Sequence, residues 1–437
     1  MPSEALKYPE RIEIVPLAKA PSAAVSVPGS KSITNRALVL AALSDSAEVH
    51  NPLRSEDTEL MIAALERLGW EIHSDWENNV VALSRTDLGV YETDRFLPGR
   101  AELFVGNSGT TMRFLSALVS VGHGTYHLDG VPRMRARPME DLLAALRQLG
   151  VDAESETGNG CPPVIIRSQG LHGGTVRIRG DTSSQFLSGL LMVAPLANGE
   201  TVIEVEGQLV SAPYVRMTLE MMRLFGLTVE AEELQKFRIR GSQQPDLEFY
   251  SVEPDASAAS YFFAAAAITG GTVTVLGLSR NSIQGDVHFV DLLEHMGCRV
   301  ETCSSGITVH GRPLHGIDVD MSDISDTVMT LAAVACFAEG PTTIRNVAHI
   351  RHKETDRLTA LAMELRKVGA EIEEFADGLK ITPGPLHGAE IETYNDHRMA
   401  MSLALVGLKV PGMVILNPGC VAKTYPGFWD DLDALRR

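Results

Sequence analysis

The sequence predicts an α/β protein assembled from six copies of one mixed unit, and three observations lead there. First, an apolar helix-length segment closed by a turn recurs along the chain. Those turns fall at Ser46, Gly124, Gly199, Gly271, Gly340 and Gly412, with successive differences of 78, 75, 72, 69 and 72 residues. Second, an amphipathic segment follows in each unit, and in the first five it ends at Gly69, Gly150, Gly226, Gly297 and Gly369. Glycine suits a helix C-terminus because the chain leaves it in the left-handed conformation. Third, each of these glycines precedes a stretch with period-two alternation about a turn, as in AEIEEFADGLKITPG at 370–384, which is the pattern of a β-hairpin. A chain of 437 residues also exceeds one hydrophobic core, so at roughly 100–200 residues per domain two to four domains are expected.

The elements follow in order. The first helix of each unit, ALVLAAL at 37–43, FLSALVS at 114–120, FLSGLLMVAPLA at 186–197, YFFAAAAITG at 261–270, TLAAVACFA at 330–338 and MAMSLALVGL at 399–408, is apolar nearly all round. Such a helix belongs inside, since a surface helix shows only an apolar stripe. The second helix carries a polar face, as in PMEDLLAALRQLG at 138–150. Buried helices beside short sheets are not the layering of a doubly wound nucleotide fold, and strand-rich units of this length are not helical solenoid repeats. The sixth unit is short of strands, because its second helix, 428–437, has none after it. Segments 11–17 and 24–27 alternate as strands ahead of the first helix. They are expected to complete the sixth unit, which would put both ends of the sequence in one domain.

Composition narrows the function. With 56 acidic against 38 basic residues the net charge is −18, which argues against a nucleic-acid or anionic-membrane binder. No apolar run approaches the ~20 residues of a membrane helix. The first residues, MPSEALKYPERIEIVP, mix acids, bases and prolines, unlike a signal or transit peptide, so a cytoplasmic location is expected. Five scattered cysteines without C-x-x-C spacing signal neither a disulfide framework nor a zinc ribbon.

Each first helix opens on a polar cluster: GSKSITNR from Gly29, GNSGTTMR from Gly106, GDTSSQ from Gly180, PDASAAS from Pro254, SDTVMT from Ser325 and YNDHRM from Tyr394. Taken singly these are ordinary N-caps. Six helix starts at equivalent places offer more, because free N–H groups and a partial positive charge suit anions. The loops before the second helices add cations, in RSEDTE from Arg54, PRMRARPME from Pro132, HIRHKETDR from His349 and CVAKTYPG from Cys420; LVSAPY from Leu209 and SRNSIQGD from Ser279 complete the set. In so acidic a chain, cations at equivalent loops point to a multiply anionic small substrate, with Arg forks matching phosphate and carboxylate. P-G-S-K-S lacks P-loop spacing, no G-x-G-x-x-G follows a strand, and G-x-S-x-G is absent. His349 and His352 have no acid or Cys at metal-ligand spacing, so neither cofactor nor metal is expected.

Taken together, PGSKSITNRALVLAAL, NSGTTMR, RPM after PRMRA, SSQF, LVSAPY, DTVMT, KETDR, NDHRMAM and AKTYP resemble the enolpyruvyl transferases, in the branch whose acceptor is shikimate 3-phosphate, from about Pro28 to Pro426. The resemblance implies a two-domain inside-out α/β barrel of six βαβαββ-type repeats, three per domain. Residues 1–28 and 252–437 would form one domain and 29–251 the other, with the active site in the cleft. It implies transfer of the enolpyruvyl group of phosphoenolpyruvate to the 5-hydroxyl of shikimate 3-phosphate, on the route to chorismate and the aromatic amino acids. The substrates are then small molecules, with no nucleic acid or membrane partner, and a monomer is expected.

Carried over residue by residue, Lys31, Ser32, Arg36, Ser183, Ser184, Gln185, Ser211, Tyr214, Asp326 and Lys353 match shikimate 3-phosphate contacts. Lys31, Gly109, Arg137, Gln185, Arg357, Arg398 and Lys423 match the phosphoenolpyruvate side, with Arg113 behind them. Asp326, Glu354 and Lys31 match the catalytic positions: Asp326 to accept the hydroxyl proton, Glu354 to exchange the proton at the methylene carbon, Lys31 to share the relay. Two positions depart from the commoner pattern, His349 where Asn is frequent and Phe114 where Pro is frequent. The alternatives are the UDP-N-acetylglucosamine enolpyruvyl transferases, whose usual loop cysteine is missing from GVPRMRARP at 130–138, and a non-catalytic anion-binding scaffold, which would not require Asp326 and Glu354 among the cations.

Overall fold

A computed structural model describes residues 8–85 and 97–436. The chain divides into two compact units, one formed by Met1–Pro28 with Glu253–Arg437 and the other by Gly29–Val252. The second division falls after Val252, one residue beyond the expected place, because the Val252 amide donates to the His50 carbonyl at 2.9 Å and stays with the second unit's strands. The first seven residues of the N-terminal segment lie outside the described residues.

Among the described residues there are five four-stranded sheets and one three-stranded sheet, one for each repeat. The third repeat shows the plan. His172–Arg179 runs parallel to Asn198–Glu206, the buried helix Ser184–Val193 connects them, and the hairpin Glu230–Glu232 with Lys236–Ile239 adds antiparallel strands. Strands next to the helices alternate buried and exposed residues, as in Arg100–Phe104 and Thr272–Leu276, so each sheet covers the helices with one face and meets water with the other. The outer hairpin strands are polar, Arg299–Cys303 being largely exposed, which blunts a free edge.

The helices lie within, which makes the barrel inside-out. Every residue of Ala256–Thr269 except Thr269 is buried, including Tyr261, Phe262 and Phe263, because that sequence has no polar face after its first turn. In the first unit it packs against Val328–Ala335, which packs against His397–Ala404. In the second unit Lys31–Leu43 packs on Gly109–Leu118, and that helix on Ser184–Val193. The second helices end at Gly69, Gly150, Gly226, Gly297 and Gly369, all with φ between +80° and +113°, where any side chain would be strained.

The N-terminal strands divide between two repeats. Arg11–Ile14 pairs antiparallel with Met413–Leu416 and so supplies a strand to the sixth repeat. Ser22–Val25 does not, contrary to expectation: it pairs in parallel with Thr272–Leu276 of the fourth. Each repeat needs a strand parallel to the one after its first helix. At the two crossings the chain leaves its unit just after such a strand, so Ser22–Val25 remains with the fourth repeat and Phe249–Ser251, by the same logic, pairs with Ser46–His50 of the first.

Deleting residues 1–17 is therefore expected to loosen the sixth repeat selectively. The segment contributes the strand ladder, the bond from the Leu17 amide to Leu408, that from the Asn417 amide to Glu10, and the Pro16 carbonyl that accepts from Arg436. Hydrogen exchange should speed up across 408–436 and leave 29–252 unchanged; unchanged protection at Met413–Leu416 would contradict the pairing.

Candidate functional site

Two polar clusters stand out, and each is built within one unit. In the first unit the central group is Arg357, which opens the helix Arg357–Lys367 and is 1% exposed. Its Nε donates to Asp396 Oδ2 at 2.8 Å, its Nη1 to Asp326 Oδ1 at 3.2 Å, and its Nη2 to Glu354 Oε2 at 2.9 Å and Asp396 Oδ1 at 3.3 Å. Burial works against its charge, but Asp396, Glu354 and Asp326 outweigh burial and hold the guanidinium above its ordinary pKa. Arg398 Nη2 donates to the second Asp326 oxygen at 2.7 Å, and Lys423 Nζ lies 3.5 Å from Glu354 Oε1.

Local chain geometry places these groups. Asp396 caps His397–Ala404 by accepting from the Arg398 amide, which fixes Arg398 in the first turn. Asp326 sits in the short helical turn Ser325–Thr327 that leads into Val328–Ala335. Glu354 stands three residues before Arg357, within reach of its side chain. The structure thus brings Asp326, Glu354, Arg357, Arg398 and Lys423 into one network. Lys353, next in the chain to Glu354, is half-buried. His349 is turned to Ser325 Oγ, 2.9 Å from its Nε2. Burial, with Lys353 and Arg357 adding, pushes its imidazole down to about 4, so it is neutral at neutral pH.

In the second unit Lys31 opens Lys31–Leu43 and pairs with Asp57 at 3.4 Å. Gln185, in the first turn of Ser184–Val193, donates to Thr110 Oγ1 at 3.2 Å, and its amide is capped by Ser183. Arg137 Nη1 donates to the Asn107 carbonyl at 3.0 Å, and Arg113 Nη2 to the Pro138 carbonyl at 3.3 Å. Ser211, in the left-handed region at φ 53°, starts the helix Ala212–Leu224 that carries Tyr214.

Arg36 is placed beneath this surface. At 1% exposure it donates to Thr218 Oγ1, the Ser32 carbonyl, Ser188 Oγ and the Tyr214 carbonyl. Its guanidinium lies 5.1 Å from the Phe114 ring centre and 5.9 Å from that of Tyr214, so the Phe at position 114 acts as its platform. Burial lowers its pKa to about 10, which leaves it charged at neutral pH.

Sequence reasoning missed Asp396 and Asp57, the carboxylates that hold Arg357 and Lys31. Both lie inside motifs already singled out, YNDHRM and RSEDTE, and the available signal was the pairing rule itself: a buried cation requires a counter-charge.

Gly109 carries a prediction. A methyl group on its Cα would overlap the Arg113 and Arg137 guanidiniums, which are 3% and 4% exposed and have little room to retreat. Gly109→Ala is expected to push those guanidiniums aside and so to raise KM for an anionic substrate by roughly ten-fold, the scale of one weakened charged hydrogen bond. An unchanged KM would remove Gly109 from the site.

The sequence and the fold have counterparts among known proteins. The family model described as EPSP synthase (3-phosphoshikimate 1-carboxyvinyltransferase) matches residues 18–432. A 3-phosphoshikimate 1-carboxyvinyltransferase of Nostoc punctiforme is 49% identical over 422 residues, covering 96% of this chain and 98% of its own. The chloroplastic enzyme of Arabidopsis thaliana is 46% identical over 433 residues, covering 95% and 83%. The solved EPSP synthase of Acinetobacter baumannii superposes with a TM-score of 0.80 at 28% identity over 98% of each chain. On the breadth of these matches and the repeat architecture that underlies them, the chain belongs to the EPSP synthase (3-phosphoshikimate 1-carboxyvinyltransferase) family.

Proposed function

We propose that the two clusters divide the work of enolpyruvyl transfer, the reaction of this family: phosphoenolpyruvate and shikimate 3-phosphate give 5-enolpyruvylshikimate 3-phosphate and phosphate. The supporting observation is the interleaving of Arg357, Arg398 and Lys423 with Asp326 and Glu354 in one largely buried network. An anion arriving at Arg357, Arg398 and Lys423 competes with the carboxylates for those cations. Asp326 and Glu354 are thereby released for proton transfer at the moment the substrate is held.

In the addition step the acceptor hydroxyl bonds to the enol carbon. Its proton passes to Asp326, and Glu354, protonated through the Lys31 relay once the anion displaces it from its cations, delivers a proton to the methylene carbon. In the elimination step the bond from the former enol carbon to the phosphate oxygen breaks, the methyl returns a proton to Glu354, and the proton held by Asp326 leaves with the phosphate. Lys31, Arg137, Gln185, Arg357, Arg398 and Lys423 stabilise the phosphate as charge builds on it, with Gly109 leaving room for it; such preorganised charge is usually the largest contribution to rate. Ser32, Ser183, Ser184, Gln185, Ser211, Tyr214 and Lys353, with Arg36 from beneath, hold the acceptor. The protein is read as a monomer and as cytoplasmic, the latter in keeping with the free cysteines among the described residues.

Phosphate release on mixing the full chain with both substrates tests the reading. Release is expected with shikimate 3-phosphate. None with it, or release with UDP-N-acetylglucosamine in its place, would overturn the assignment of the acceptor.

A further inference from the structure

Asp286 takes no part in the reaction as described, yet it is 4% exposed and lies beside Arg398's partners. It belongs to the short turn Gly285–His288, three residues before the fourth repeat's second helix, Phe289–His295. Glu354 stands at the same register before the fifth repeat's second helix. Repeat geometry thus aims the two carboxylates from equivalent places. The Ser257 hydroxyl donates to Asp286 Oδ2, and Ser257 Oγ in turn lies 3.5 Å from Arg398 Nη2, the same nitrogen that donates to Asp326 at 2.7 Å. Arg398 Nη1 is 3.5 Å from the Tyr261 hydroxyl. Ser257 and Tyr261 both ride on Ala256–Thr269, so the fourth repeat cradles a guanidinium that the sixth repeat supplies.

We propose that Asp286 is a positioning residue for Arg398: through the Ser257 hydroxyl it holds the guanidinium beside Asp326, and its charge sets how strongly that guanidinium engages an anionic ligand. The inference rests on the reading of Arg398 as a phosphoenolpyruvate contact. The charged groups facing Asp286 are Asp326 from Ser325–Thr327, Arg398 from His397–Ala404 and Asp255 at the cap of Ala256–Thr269. On the adjoining Phe289–His295 helix, Asp291 and Glu294 are bound to Arg280, and His288 to Asp291. Burial raises the Asp286 carboxyl to about 7, Asp326 and Asp255 add to the rise, and Arg398 and the Ser257 bond oppose it.

The sign follows. Below about pH 7 Asp286 is protonated and neutral, while Asp326 remains bonded to Arg398. Above that pH a second carboxylate competes with the ligand for the same cation. KM for phosphoenolpyruvate should therefore rise with pH in the wild type, whereas Asp286→Asn keeps the neutral form throughout.

Steady-state kinetics of the full chain from about pH 6 to about pH 8, expressed as the ratio of wild-type KM to variant KM, cancels the ligand's own ionisation. That ratio is expected to climb several-fold across the range, roughly three-fold or more; a ratio independent of pH overturns the inference. Ser257→Ala, which severs the relay, is expected to flatten the rise of KM with pH as Asp286→Asn does, and it carries the test if Asp286→Asn does not fold; a wild-type pH dependence of KM in Ser257→Ala also overturns the inference. Arg398→Lys separates the two claims. A wild-type KM there defeats the reading of Arg398 itself, whereas a raised KM with a flat Asp286→Asn ratio defeats the positioning role alone.

Discussion

Replacing Asp326 by Asn or Glu354 by Gln is expected to lower kcat by roughly 10²-fold or more while the protein stays folded. Both variants keep the shape and an oxygen acceptor for Arg357, so the hydrogen bonds at 3.2 Å and 2.9 Å survive in neutral form. What they lose is basicity. An amide cannot take the proton that the acceptor hydroxyl sheds, nor exchange one at the methylene carbon. Each variant also leaves the cations in excess, so anion binding should hold or tighten and the deficit should fall on kcat rather than KM. The check is phosphate release together with a thermal melt. Wild-type turnover by either variant, with the same product, would end its assigned role.

Asp396→Ala is expected to be the most damaging substitution for folding, costing on the order of 3–5 kcal/mol because it leaves a buried guanidinium short of its closest counter-charge. Asp396 is 0% exposed, contacts Arg357 through both oxygens, and caps the helix that carries Arg398. The loss should appear as a lower urea midpoint, with early exposure of the first unit, Met1–Pro28 with Glu253–Arg437. Arg357→Met with Asp396→Leu should recover part of the loss, since replacing a buried pair by apolar groups removes the desolvation cost along with the attraction. A wild-type midpoint in Asp396→Ala would mean that Asp326 and Glu354 suffice to neutralise Arg357.

The repeat was legible because its signals are local. A helix apolar all round declares itself buried whatever it packs against, and Gly297 or Gly369 marks a helix end through its own φ. Arg357 and Lys423 were legible as cations in recurring loops and Arg398 as one at a helix start, and the family motifs implied that the three share a site. The partner of a strand or a charge was harder to read. Ser22–Val25 alternates as well as Arg11–Ile14 does, yet one pairs within the fourth repeat and the other within the sixth. Asp286 looked like one more polar residue in a loop until the fold set Ser257 and Arg398 beside it.

What the sequence determined by itself was therefore periodic and short-ranged: six buried helices, six amphipathic ones, the turns between them, and the polar residues at each helix start. Tertiary structure alone decided which carboxylate neutralises which cation, with Asp396 on Arg357, Asp57 on Lys31 and Asp326 shared between Arg357 and Arg398. The physical reason is that backbone propensity acts over a few residues of chain. An ion pair acts through space, falling with distance and strengthening as water is excluded, so residues some 30 to 70 positions apart become partners only once the helices are packed.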